Sequence, residues 1–244
     1  INNKNKSNMA LSTKDLQGGA SVKKTIAPGK HTLKINSVEL ESFRFKEDAY
    51  HLILNLETEP IKDFEGFLID VNDSSKGTYK GQVGKVKTSR YAYADGETPT
   101  GIKINRDRSI LMFLKGFCQT LAASEGGERF KTWFTDQDGK YENIEAFVEA
   151  FDNEIQSDEP IYLDFCVGGK EYENKNGYIN YDMFLVKPMN GKYPYGMVDS
   201  TKVVEYDENN PYHLIALKVK DVESFGDDDT LSIKSDASND FSLD

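Results

Sequence analysis

Hydrophobic and polar residues alternate through the first part of the chain in a pattern that predicts β-strands. In KHTLKINSVELESF, Leu33 and Ile35 share one phase of the alternation, whereas Val38 and Leu40 share the other. Side chains alternate strictly between the two faces of a strand, so this change of phase predicts a bulge or a strong bend. AYHLILNLETE is predicted to form the second strand and FEGFLIDV the third.

Two helices are predicted after these strands. Apolar residues recur at helical spacing from Ile110 to Leu121, and again from Ile144 to Ile155. Strand alternation then returns in IYLDFCV and in YINYDMFLV, which the turn GGKEYENKNG connects into a β-hairpin. A bent first strand, two further strands, helices and a closing hairpin are the order of elements in an OB-fold.

The predicted fold class is mainly β with α (α+β). We expect a five-stranded OB-fold barrel with a long basic insertion and two helices between strands three and four. An α+β sandwich with a different strand order is the structural alternative. We predict a flexible N-terminal arm at residues 1–27, an elaborated OB-fold domain at residues 28–220 and a disordered acidic C-terminal tail at residues 221–244.

The charge of the chain is distributed unevenly. The formal net charge is −11, but residues 221–244 contain eight acidic residues and one lysine, a net charge of −7. Residues 1–34 have a net charge of +6, and residues 75–109 have a net charge of +5. The acidic tail therefore masks two basic zones, and the overall charge does not exclude a polyanionic partner.

Other classes of function receive less support from the sequence. No apolar run reaches the roughly 18 residues that span a bilayer, so we expect no membrane partner and a cytoplasmic location. Cys118 and Cys166 are predicted to be buried thiols. FTDQDGKYENIEAF is similar to a calcium-binding EF-hand loop, but Phe134 stands where the first carboxylate ligand is needed, which favours a polar turn that caps a helix. No catalytic residue, metal or cofactor is predicted.

Aromatic residues interleave with basic ones in FRFK, TYKGQVGKVKTSRYAY and KEYENKNGYINY. Single-stranded nucleic acid needs this combination, because bases stack on rings while cations contact phosphates. The alternative for each ring is packing in the core. The predicted phosphate contacts are Lys80, Lys85, Lys87, Arg90 and Arg106. The predicted base-stacking residues are Phe43, Tyr79, Tyr91, Tyr93 and Tyr178.

Three segments and the acidic end resemble an OB-fold single-stranded DNA-binding protein of tailed (crAss-like, Bacteroidales-infecting) phages. The segments are GKHTLKINSVELES, FEGFLIDVNDSSKGTYKGQVGKVKTSRYAYADG and GIKINRDRSILMFLKGFC, and the likeness covers about residues 28–244. It implies a non-catalytic protein that coats single-stranded DNA during phage DNA replication or recombination, in the cytoplasm of the host bacterium.

The same resemblance implies a second binding site in the tail, which would dock on replication or recombination proteins. Its residues would be Asp240, Phe241, Leu243 and Asp244. The chain continues for three residues after Phe241, unlike the usual bacterial ending, and this departure leaves the docking partner open.

Two other functions are left open by the sequence. One is a phage structural or assembly protein that does not bind nucleic acid, and the other is a nucleic-acid-processing enzyme whose site the sequence does not reveal. The choice between DNA and RNA, the size of the binding site and the oligomeric state, a homo-oligomer included, are open as well.

Overall fold

The computed structural model describes residues 24–62, 64–68, 72, 75, 77–156, 159–186 and 204–217. Within these residues, the strands of five or more residues are β1 (Gly29–Ser42), β2 (Tyr50–Thr58), β5 (Val83–Lys87), β8 (Tyr162–Glu173) and β9 (Ile179–Leu185). The two-residue strands are β3 (Phe67–Leu68), β4 (Thr78–Tyr79), β6 (Gly96–Glu97), β7 (Lys103–Ile104) and β10 (Leu214–Ile215). The helices are α1 (Arg106–Ala122), α2 (Phe130–Asp136) and α3 (Ile144–Gln156).

The five longer strands close into a barrel. Hydrogen bonds connect them in the order β1, β2, β5, β9 and β8, and β8 pairs back with β1. Neighbours run antiparallel, except that β5 and β9 run parallel. All three helices lie between the third barrel strand, β5, and the fourth, β8. The chain therefore has an OB-like α+β fold, and the predicted fold class is confirmed.

β1 bends near the point where its pairing passes from β8 to β2. Residues 29–34 pair with β8, and residues 33–42 pair with β2. The register with β2 shifts between Ile35 and Ser37. Leu33 and Val38 are consequently both buried, although strict alternation would place them on opposite faces. The bulge predicted from the change of phase is confirmed.

The third barrel strand differs from the prediction. FEGFLIDV was expected to form it, but the strand found among its described residues, 64–68, is β3, which pairs with β4 rather than with the barrel. The barrel uses β5, which lies inside the segment predicted to be a basic insertion. Val86 is the buried residue of β5, and lysines flank it on both sides. GKVKTSRYAYAD could have been expected to contain a β-ribbon, but one apolar side chain between two charged ones gives too weak a signal to assign the segment to the barrel.

Residues 24–26 complete the edge of β5 that faces β9. Thr25 forms a parallel bridge with Val83, and the Ile26 amide donates to the Val83 carbonyl oxygen at 3.1 Å. Ile26 is buried in the core. Gly84 allows this approach, because a Cβ at that position would lie 3.2 Å from Cδ1 and 3.3 Å from Cβ of Ile26, and 2.7 Å from Cε of Met183. The folded body therefore includes residues 24–27, which the sequence had assigned to the arm.

The helices extend the core of the barrel. α1 and α3 contribute the two apolar stripes predicted from the sequence, and α3 packs against β1. The third helix, α2, was not predicted, because it has seven residues and buries only Phe130 and Trp133. The Trp133 ring contacts the Phe147 and Phe151 rings of α3, at centroid distances of 5.7 and 5.3 Å. Helices and barrel thus share one core.

Both cysteines are buried, free thiols, as predicted. Burial raises the pKa of the Cys118 thiol to about 12 and that of the Cys166 thiol to about 11. At neutral pH both side chains are therefore protonated and pack as small apolar groups. Among the helices of the described residues, none has the length and hydrophobicity needed to cross a membrane.

Asp152 of α3 bonds to the edge of β1 that β8 leaves uncovered. β8 pairs with β1 only as far as Lys34, and α3 packs against the strand beyond that point. The Val38 amide, next to the bulge, donates to Oδ1 of Asp152 at 2.6 Å. The Gln156 side chain donates to Oδ2 at 2.6 Å. One carboxylate thus satisfies a backbone donor that has no strand neighbour on that side.

We predict that Asp152→Ala lowers the free energy of unfolding by about 1–3 kcal/mol, because it removes the acceptor of a part-buried backbone amide. Glu149→Ala is the matched control, since Glu149 is exposed on the same helix. The control should change stability by less than about 0.5 kcal/mol. Urea unfolding followed by circular dichroism measures both variants, and equal stabilities would contradict this role of Asp152.

Candidate nucleic-acid interface

The outward-pointing side chains of β1, β2, β5 and β9 form one surface, which we call the barrel face. Val86 of β5 and Met183 of β9 point into the core, so the residues next to them in each strand point outward. The same alternation applies to β1 and β2. The barrel face contains Glu39, Glu41, His51, Ile53, Asn55, Lys85, Lys87, Asp182 and Phe184. Of these, His51, Ile53 and Phe184 are buried.

Two of the predicted phosphate contacts, Lys85 and Lys87, lie on the barrel face in ion pairs. Nζ of Lys85 lies 2.9 Å from Oε1 of Glu39, and Nζ of Lys87 lies 2.7 Å from Oδ1 of Asp182. The hydrogen bond from Lys85 is the main cause that lowers the pKa of the Glu39 carboxyl, so this group is ionised at neutral pH. The centre of the barrel face is consequently not a basic strip.

His51 adds no charge to the barrel face at neutral pH. Its side chain is buried, and its Nδ1 has no hydrogen-bond partner in the described part of the chain. Burial is the main cause that lowers the pKa of the imidazole, and the positive charge of Lys87 lowers it further. The ring of Phe43 covers His51 edge-on, with 5.3 Å between the centroids.

Exposed aromatic rings and arginines meet beyond the start of β2 and the end of β5. We call this region, residues 43–46 together with Arg90 and Tyr91, the loop end. Phe45 and Tyr91 are 78% and 71% exposed. The Arg44 guanidinium lies over the Phe45 ring and that of Arg90 lies over the Tyr91 ring, each at 5.4 Å. These two pairs combine stacking surfaces with positive charge.

Hydrogen bonds next to the loop end connect the start of β2 with the segment that follows β5. The amides of Tyr50 and Tyr93 each donate to the carbonyl oxygen of the other, at 2.9 and 2.7 Å. The Tyr93 hydroxyl lies 3.0 Å from that of Thr88, and the Tyr93 ring packs against the core. Lys46 donates to the carbonyl oxygen of Asp95 at 3.0 Å. Tyr93 therefore positions the loop end, whereas Tyr91 is exposed on it.

The turn between β8 and β9 carries a second group of exposed rings, which we call the hairpin end. Tyr178 is 68% exposed, and Tyr172 is also exposed. Tyr172 pairs with Asn180 in the ladder, two residues from Asp182, so it extends the barrel face. Asn174 shapes the turn, because its side-chain oxygen accepts from the amides of Asn176 and Tyr178.

The loop end and the hairpin end lie at opposite ends of β5. Lys87 pairs with Phe184 of β9, and Tyr178 precedes Phe184 by six residues. At about 3.3 Å per residue, this separation is roughly 20 Å. The predicted rings are therefore not one cluster, and the barrel face lies between two aromatic ends.

Other predicted residues lie elsewhere or have partners already. Lys80 is exposed just before β5, and the Tyr79 side chain lies outside the described residues. Phe43 packs against Phe45 as well as His51, with centroids 5.6 Å apart in the first pair. The tail residues Asp240 to Asp244 fall outside the part of the chain that the structure describes.

Arg106 is engaged within the protein. Its Nε lies 2.6 Å from Oδ1 of Asp107, and its Nη1 donates to the carbonyl oxygen of Asp48 at 3.0 Å. Its guanidinium lies over the Tyr50 ring at 4.7 Å. The hydrogen bond to Asp107 is the main cause that raises the pKa of Arg106. Arg106 thus attaches the start of α1 to the turn between β1 and β2.

The exposed rings of Phe45 and Tyr172 were not predicted as stacking residues, although both lie in segments where rings interleave with cations. Phe45 is two residues after Phe43 in FRFK, and Tyr172 is six residues before Tyr178. Each segment contains several rings, and the sequence alone does not tell which of them the fold leaves exposed.

The segment similar to an EF-hand loop forms a helix cap. The Asn143 side-chain oxygen accepts from the Ala146 amide at 2.8 Å, at the start of α3. Gly139 has a φ of 71° and makes the turn after α2. In the part of the chain that the structure describes, no group of three or more His, Cys, Asp or Glu residues could hold a metal ion. The prediction of a capping turn is confirmed.

No protein-family model, no curated protein and no solved structure matches this chain.

We predict that Arg106→Ala and Arg90→Ala differ in their effect on stability, although each removes one arginine. Arg106→Ala should lower the free energy of unfolding by about 1–2 kcal/mol, because it removes two hydrogen bonds and a ring contact. Arg90→Ala should cost less than about 0.5 kcal/mol. Thermal unfolding of both variants measures the difference, and an Arg106→Ala variant as stable as the parent would contradict the positioning role.

Proposed function

We propose that this chain is a non-catalytic protein that binds single-stranded DNA across the barrel face, with bases stacked at the loop end and at the hairpin end. The observation that carries the proposal is the loop end, where two strongly exposed rings, Phe45 and Tyr91, each lie beside an arginine. Exposed rings next to cations are the combination that base stacking and phosphate binding require.

The dimensions of the barrel face suit a short stretch of single strand. The roughly 20 Å between its ends accommodates a few nucleotides, which is at the low end of the ~4–16 nucleotides that one OB-fold contacts. Base–ring stacking contributes about 1–3 kcal/mol per base and does not depend strongly on sequence. We therefore propose binding with little sequence preference.

The free energy of phosphate binding in this proposal comes mainly from the ends of the barrel face. Lys85 and Lys87 are each paired with a carboxylate, which reduces their attraction for a phosphate. Arg44 and Arg90 at the loop end and Lys170 near the hairpin end are exposed cations. This distribution adds Arg44 and Lys170 to the predicted phosphate contacts and gives Lys85 and Lys87 a smaller share.

The proposed cellular role rests on the sequence resemblance. The tail, through Asp240, Phe241, Leu243 and Asp244, would recruit replication or recombination proteins while the barrel holds the DNA. The acidic tail and the barrel face would then be two separate binding sites on one chain.

A structural or assembly role is the second candidate, and one observation favours it. β6 and β7 form a small hairpin whose residues Ile102 and Ile104 are exposed. Exposed aliphatic side chains suit contact with another protein better than contact with nucleic acid. In that case the chain would not bind oligonucleotides, and it would co-purify with phage particles.

We predict that the protein binds fluorescein-labelled oligo-dT and that affinity falls as salt rises. With about three phosphates contacted, log K should fall with log salt at a slope of about −2. Fluorescence anisotropy between about 50 and 200 mM salt measures the slope. Failure to bind at the lowest salt, or affinity independent of salt, would refute the proposal.

Tyr91→Ala tests the loop end within the same titration. The variant should lose about 1–3 kcal/mol of binding free energy, because one base loses its stacking partner. Tyr212→Ala is the matched control: Tyr212 is 73% exposed, close to the 71% of Tyr91, but it precedes β10, which pairs with β8 outside the barrel. Equal losses in the two variants would contradict the proposed position of the site.

A further inference from the structure

Two carboxylates occupy the positions on Lys85 and Lys87 that a phosphate would take. Glu39 reaches Lys85 from β1, and Asp182 reaches Lys87 from β9, so the pairs flank β5 on both sides. Their N–O distances of 2.9 and 2.7 Å are those of charge-assisted hydrogen bonds, the contact that a lysine makes with a phosphate.

The Lys85–Glu39 pair contributes little to the stability of the barrel. The side chains of Lys85 and Glu39 are 65% and 44% exposed, and ion pairs at such exposed positions are weak. In the second pair the Asp182 side chain is 49% exposed, whereas the Lys87 side chain is 22% exposed. Backbone hydrogen bonds pair β5 with β2 and with β9.

A phosphate that approaches either lysine meets a carboxylate that already accepts from the ammonium group. A carboxylate and a phosphate beside the same ammonium group repel each other. Because the carboxylate is part of the protein, it competes with the phosphate for the lysine at a high effective concentration. The lowered pKa of Glu39 keeps this competitor ionised at neutral pH. Glu41 adds further negative charge to the same strand.

We infer that Glu39 and Asp182 set the affinity of the barrel face for single-stranded DNA by acting as built-in competitors for phosphate on Lys85 and Lys87. The inference rests on the proposed function. Its consequence is that bases stack on the rings at the two ends of the barrel face, while the phosphates that cross its centre gain little from Lys85 and Lys87. The paired side chains also make the complex easier to dissociate than an unpaired basic surface would.

Glu39→Gln combined with Asp182→Asn tests the inference, because both changes keep the size of the side chain and remove its charge. The double variant should bind oligo-dT about three- to tenfold more tightly than the parent at low salt. The slope of log K against log salt should steepen by about 0.7 for each lysine that gains a phosphate. Anisotropy titrations measure both quantities, and thermal unfolding verifies that the variant is folded.

Glu41→Gln is the control for general electrostatics. Glu41 lies two residues from Glu39 on the same face of β1, and among the described residues it forms no ion pair with a lysine. Glu39→Gln should tighten binding more than Glu41→Gln does, although each removes one negative charge. Equal gains, or no gain, would overturn the competitor role.

The outcomes separate this inference from the function on which it rests. If the parent binds oligo-dT and the double variant binds no more tightly, only the competitor role is refuted. If neither protein binds at low salt, the proposed function fails and the inference fails with it.

Discussion

The pairing of β1 with two strands at once is the constraint on which this structure depends. The first part of β1, residues 29–34, pairs with β8, and the rest, residues 33–42, pairs with β2, so the bend between the two parts lets the barrel close. The bulge next to Ser37 provides the bend, and it leaves the Val38 amide to bond with Asp152 of α3. The segment around Ser37 therefore takes part in closing the barrel, in packing α3 and in hydrogen-bonding the Val38 amide.

Barrel closure also determines the layout of the candidate site. Because β5 runs parallel to β9, the end of β5 and the start of β9 lie at opposite ends of the same surface. Exposed aromatic rings flank both ends, whereas the centre is occupied by two lysines and their carboxylate partners. Exposed rings at the ends can stack on the bases of single-stranded DNA. The centre is nearly neutral, so most of the attraction for phosphates comes from the cations at the ends.

Much of the fold could be predicted from the sequence, because strong periodicity reports burial directly. The bend in β1 and the stripes of α1 and α3 follow from such patterns. β5 could not be found in this way, since a single buried residue, Val86, lies between outward-pointing lysines. The site was predicted less well. Composition places rings near cations, but only the folded chain shows that Tyr93 packs, that Arg106 is engaged and that Phe45 is exposed.

The most direct test of the proposed interface is to map the DNA contact on the protein. A titration of ¹⁵N-labelled protein with a short oligo-dT, followed by two-dimensional NMR, reports which backbone amides change environment. The proposed interface predicts shifts at residues 43–46, in β5 and through residues 87–91, and at residues 172–182, with α2 and the β6–β7 hairpin unchanged. Shifts confined to the helices or to that hairpin would contradict it.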